Sequence, residues 1–176
     1  VVFGVTPLAI GIAAAVGDAL HRASPSEEVV RIAANAPPLT FVALWICIAV
    51  LPGLFEEALF RGFVTRLYQG WRWVAWLVPS ALFGLVHLDP VQSIGTAILG
   101  LGFGWIRLRT STLVPSMVAH TVYNGSVLLA ARFADPSDES ASMPIAAVLG
   151  GCVLAALGSQ LLGAPNSELD PNEVAP

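Results

Sequence analysis

The fold class this sequence predicts is all-α, a polytopic transmembrane helical bundle of about six spans, and three observations point to it. Of the 176 residues, 56% are hydrophobic and only 11% charged. An ordinary soluble domain carries about 25% charged residues, so most of this exterior must face lipid. The apolar residues also gather into runs near the roughly 20 residues that a bilayer-crossing helix needs. Finally, the charges collect in the links between runs and in the tail, leaving few inside the runs.

Residues 1–20 form the first candidate transmembrane helix, closing at GDALHR. The chain starts at Val1 rather than Met and enters this run without a charged leader, so a truncated amino terminus is expected and no signal peptide is read. Residues 21–38 are a polar link. Within it Ser24 and Glu27 have capping-box spacing, and Pro25 occupies the first helical position. A short interfacial helix is expected there, ended by Pro37 and Pro38.

Residues 39–163 are expected to form the membrane-embedded core. Its first run, 39–69, is too long for one perpendicular span, and Pro52-Gly53 marks the expected kink or break. Further runs cover 72–88, 91–108, 112–132 and 143–163, and the polar, proline-rich tail at 164–176 is expected to be disordered. In GLGFG, Gly100 and Gly104 form a G-x-x-x-G that lets helix backbones approach closely. Trp71, Trp73 and Trp105 fall near ends that would share one membrane face, as an aromatic belt does. Arg66, Arg72, Arg107 and Arg109 occupy the links on that face, which the positive-inside rule assigns to the cytoplasm.

Composition also excludes function classes. The net charge is −4, and all eight basic residues are arginines with no basic block among them. Nothing here could track a phosphate backbone, so nucleic acid is not an expected partner. Cys47 and Cys152 lie far apart without ligand spacing, and neither a disulfide nor a metal pair is expected of them.

Beyond the link and tail residues, few ionisable groups remain: Glu56, Glu57, Arg61, His87 and His120, with Asn124 as a polar companion. Charged groups within a span cost at least a few kcal/mol each and face a bundle interior or a wet cavity. In EEALFR, Glu57 and Arg61 are four apart and share a helix face, whereas Glu56 is rotated by about 100°. One carboxylate can pair with the arginine while the other handles a proton. In FGLVH, Phe83 lies one turn from His87. In HTVYN, His120 and Asn124 share a face and could aim two N–H groups at one point, as an oxyanion requires. Tyr123 is expected to pack rather than act.

Taken singly, each stretch has a structural explanation: a buried ion pair, a boundary histidine, an interhelical hydrogen bond. Together they gather carboxylates, imidazoles and an amide in a chain otherwise poor in polar side chains. That is a functional-site candidate.

E-E-x-x-x-R, F-x-x-x-H and H-x-x-x-N, in that order on successive apolar runs, resemble the CPBP family, also called Abi. It covers type II CAAX prenyl endopeptidases and bacteriocin-processing relatives. The resemblance spans roughly residues 50–130 and implies an intramembrane endopeptidase of glutamate type, in a prokaryotic cell membrane, acting on a membrane-associated protein or peptide. By the same resemblance, Glu56 and His87 would activate water, His120 and Asn124 would hold the oxyanion, and Glu57, Arg61 and Phe83 would support them. The catalytic cleft would then lie between the helices carrying the three motifs.

No cofactor is expected. In the zinc-dependent alternative Glu56, His87 and His120 would be the ligands, but no H-E-x-x-H is present. The competing function is a non-catalytic membrane protein, an immunity scaffold or a proton- or ion-coupled transporter, using the same cluster. The sequence names neither the oligomeric state nor any partner beyond lipid and substrate.

Overall fold

The computed structural model describes residues 11–12, 15–16 and 25–133, and residues 11, 12, 15 and 16 are helical. Most of the first expected span, Ser24 of the capping box, Cys152, the run at 143–163 and the tail lie outside the described residues.

The short helix of the link is α1, Pro25–Asn35. It stops before Ala36-Pro37-Pro38, since prolines cannot continue a helix from within and push the preceding residue out of helical geometry. It is tied to the last described helix, where Arg132 Nη1 donates to the Ala34 carbonyl at 2.8 Å.

Pro38 then opens α2, a single helix over Pro38–Leu67. At 1.5 Å per residue it is about 45 Å long, against a hydrocarbon thickness of about 30 Å, so it tilts or protrudes. The helix runs unbroken through Pro52-Gly53, where a kink or break was expected. The helix instead takes wider π turns at Ile46–Val50 and Ala58–Val64, and the α-helical segment Leu51–Glu57 between them contains the proline near its start. A π turn just ahead of a proline absorbs the ring's clash with the preceding turn without ending the helix.

A short link leads to α3, Arg72–Leu85, and Asp89 then caps α4, Pro90–Thr110. The Asp89 carboxylate accepts from the Gln92 N–H at 3.0 Å, and Pro90 takes the first helical position, where its missing N–H costs nothing. Helix α5 covers Val114–Phe133.

Four of the six expected spans fall in this region, but among the described residues only α2 and α4 are long and apolar enough to cross a membrane. Helix α3 is about 21 Å long, shorter than the hydrocarbon core. Helix α5 has the length but carries Ser116, His120, Thr121 and Asn124, which turn inward.

Helices α3 and α4 form a tight hairpin. Gly84 meets the Ser93 carbonyl and Ala97. Gly104 leaves only enough space for the Trp76 ring, which a Cβ would approach to 2.9 Å. The G-x-x-x-G therefore lets α4 close on α3, with Trp76 Nε1 donating to the Leu101 carbonyl at 2.8 Å. Trp71 and Trp73, both exposed, mark the same end of the bundle as Trp105 and Arg109, whose guanidinium lies 5.7 Å over the Trp105 ring. In the middle, Phe60, Phe83 and Phe103 form the core, with Val64, Leu99, Ala119 and Tyr123 packed against them. Tyr123 packs against this core.

Candidate active site

The three motifs converge on this aromatic core from α2, from the end of α3 and from α5. Glu57 and Arg61 lie one turn apart on α2, and Arg61 Nη1 donates to Glu57 Oε1 at 2.8 Å with both side chains fully buried. Arg61 also donates through Nη2 to the Gly100 carbonyl at 2.9 Å, and its guanidinium sits 4.5 Å over Phe83 and 5.5 Å from the Phe103 ring. The charge is therefore neutralised on one side and covered by π faces on the other. Glycine at 100 makes this possible: a Cβ there would lie 3.0 Å from Arg61 Nη2 and 3.1 Å from Phe83.

From α5, His120 Nδ1 lies 3.1 Å from the same Glu57 Oε1. An ionised carboxylate only accepts, so Nδ1 carries the hydrogen. The opposite nitrogen, Nε2, faces Glu56 Oε2 at 3.9 Å. His120 is held in place by rings: it stacks on Phe103, with centroids 4.8 Å apart and planes at 16°, and meets Phe83 edge-on at 5.5 Å. Glu56, with its side chain 35% exposed, is the open carboxylate of the pair. One glutamate is locked and one is free, as their 100° offset requires.

His87 enters from the turn after α3. Its Nδ1 lies 2.9 Å from the Phe83 carbonyl, which can only accept, so Nδ1–H donates and Nε2 keeps its lone pair. Thr96 Oγ1 lies 3.5 Å from Nδ1, but its hydroxyl donates to the Gln92 carbonyl at 2.8 Å. Phe83 stands edge-on to both His87 and His120, each at 5.5 Å. The phenyl ring is what the two histidines share.

Asn124 is engaged elsewhere. Its Nδ2 donates to the Ile48 carbonyl at 3.0 Å, so the amide and His120 do not aim both their N–H groups at one point. The amide has a second N–H beyond that bond, and His120 can donate from Nε2 only when its ring carries both protons.

Among the described residues, no set of three or more His, Cys, Asp or Glu side chains comes together as a metal-ligand group. Glu56 approaches His120, but His87 joins neither through a shared ligand position.

Some contributors were not singled out from the sequence. Phe103 sits between Gly102 and Gly104, and its position three residues after Gly100 on the same helix face was the available signal. The carbonyls of Gly100 and Ile48 gave none, because a backbone acceptor has no letter of its own.

The geometry joins the first and third motifs directly and the second through Phe83. A family model described as type II CAAX prenyl endopeptidase Rce1-like matches residues 38–126, half of the chain. That stretch begins with α2 and ends just past Asn124, so it holds all three motifs. No curated protein and no solved structure matches the chain.

Proposed function

The chain belongs to the type II CAAX prenyl endopeptidase Rce1-like family, and from that premise we propose that it is an intramembrane endopeptidase of glutamate type. It hydrolyses a peptide bond near the membrane-embedded carboxy-terminal part of a membrane-associated protein. The observation that carries this is the pairing of one buried, fully committed carboxylate, Glu57, with one open carboxylate, Glu56, across a histidine that faces both.

Peptide hydrolysis needs an activated water, a stabilised oxyanion and a proton for the leaving amine. Glu56 takes a proton from a water that also hydrogen-bonds His87 Nε2, and the hydroxide attacks the carbonyl carbon. The oxyanion receives hydrogen bonds from doubly protonated His120 through Nε2 and from the second Asn124 N–H. Glu56 then delivers its proton to the nitrogen as the C–N bond breaks. Glu57 and Arg61 act through His120 rather than on the substrate. The water is activated without a metal.

The test is processing of membrane-tethered substrates co-expressed with wild type, Glu56→Gln and His87→Ala. Loss of the base is expected to slow cleavage by about 10²–10⁴-fold, while Glu56→Gln stays within about 0.5 kcal/mol of wild-type stability because its side chain is not locked in the core. Processing unchanged by a folded Glu56→Gln would overturn the assignment. A chelator that abolished cleavage would overturn its metal-free form.

A further inference from the structure

Asn124 and Pro52 are tied to one another, and neither makes sense alone. Proline lacks an N–H, so the carbonyl four residues earlier, that of Ile48, has no α-helical donor. Inside a bilayer there is no bulk water to replace it, and an unsatisfied backbone group costs several kcal/mol. The donor comes from α5, where Asn124 Nδ2 reaches the Ile48 carbonyl at 3.0 Å, from 76 residues along the chain.

The next residue shows how closely the two helices meet. Gly53 is buried, and a Cβ on it would run into Thr121 Oγ1 while standing 3.0 Å from the Thr121 nitrogen and 3.1 Å from the Met117 carbonyl. Pro52-Gly53 is therefore a docking point with no slack, held by the amide one turn before it. Glu56 lies one turn after it, and Glu57 next to it bonds His120, itself one turn from Asn124 on α5. Two hydrogen bonds between the same two helices thus bracket the open carboxylate.

We propose that Asn124 is a positioning residue: its amide replaces the N–H that Pro52 lacks and, by pinning Ile48 to α5, sets where Glu56 stands relative to His120. Only one amide N–H is used, so this role is separate from oxyanion binding by the other. For its activity arm the proposal rests on Glu56 being the base, but its stability arm does not.

The experiment uses the full chain in detergent as wild type, Pro52→Ala, Asn124→Ala and the double variant, with thermal unfolding and substrate cleavage measured for each. The Pro52→Ala substitution returns a backbone N–H to the Ile48 carbonyl. With Pro52 in place, Asn124→Ala is expected to lower the unfolding temperature and to cut kcat by about tenfold or more, the equivalent of one buried group left unpaired, with KM little changed. In the Pro52→Ala background, the same substitution should cost far less stability and a smaller share of kcat, the part that belongs to the oxyanion contact being lost in both backgrounds. A loss of stability or of kcat on Asn124→Ala that is equal in both backgrounds would overturn the proposal. A double variant that does not fold counts the same way, since the returned N–H would then have failed to replace the amide. A Glu56→Gln protein that still cleaves would instead sink the proposed function, while the coupling of Pro52 with Asn124 in unfolding temperature is read without any substrate.

Discussion

Among the described residues, two ion pairs join a glutamate to an arginine about one helical turn along the same helix. Glu28 and Arg31 pair on α1 at 2.6 Å with side chains 56% and 73% exposed; Glu57 and Arg61 pair on α2 at 2.8 Å with none of either side chain exposed. The local geometry is nearly the same and the surroundings are opposite. Water and salt screen the first pair, and exposed pairs contribute little. The second pair is wrapped by Phe83, Phe103 and the Gly100 carbonyl, where breaking it leaves an uncompensated charge. Even so, Glu57 Oε2 and Arg61 Nε have no hydrogen-bond partner among the described residues. A pair kept for stability alone would be better satisfied, or replaced by apolar side chains. What Glu57–Arg61 secures is the orientation of His120.

The strongest way to break this contrast is Arg61→Met. Removing one partner of a fully buried pair is expected to destabilise by about 3–5 kcal/mol, read by denaturant or thermal unfolding in detergent. Arg31→Met should produce no comparable loss. If the two substitutions cost the same, burial is not what separates the pairs. Adding Glu57→Leu to Arg61→Met should recover much of the stability, since the orphaned carboxylate is gone, yet activity should stay lost because His120 has lost its anchor.

The contrast also shows what the sequence could and could not reveal. Glu57–Arg61 was legible because four residues along a helix fix a shared face whatever lies around it. The open state of Glu56 followed from the same geometry. At Pro52-Gly53 a kink or break was legible, but not that the helix would run on unbroken with a π turn ahead of the proline and an amide from α5 on the Ile48 carbonyl. Asn124 was recognised as polar and inward, but the acceptor it chose is a backbone atom. His120 could not be assigned a donor nitrogen until the rotation of α5 against α2 placed Nδ1 on Glu57. Spacing within a helix is local information; which face of one helix meets which face of another is not.

A middle-sized effect tests the wall rather than the charges. Phe103 stacks on His120 and covers the Arg61 guanidinium, so Phe103→Leu keeps the site apolar while removing the π face. Aromatic contacts of this kind are worth about 0.5–1.5 kcal/mol beyond the area they bury, and unfolding stability should fall by about that much. Cleavage should fall with it in kcat more than in KM, because His120 loses the surface that fixes its ring plane. A Phe103→Leu protein with wild-type kcat would show that Glu57 alone orients the histidine.

The smallest effect belongs to the exposed pair, and its pH dependence has a definite sign. Hydrogen bonding to Arg31 holds the Glu28 carboxyl below the usual carboxylate range. A folded-state pKa below the unfolded one means the contribution is present above the unfolded value, about 4.3 for glutamate, and is lost as pH falls through the folded one. Glu28→Gln should therefore match wild type at low pH and differ from it only above that window. Because both side chains are exposed, added salt should shrink even that difference. Unfolding temperatures of the two proteins, followed from acidic to neutral pH at low and at high salt, measure it directly. A gap that persists undiminished in high salt would mean that Glu28 and Arg31 interact as Glu57 and Arg61 do, and that exposure is the wrong variable on which to divide the two pairs.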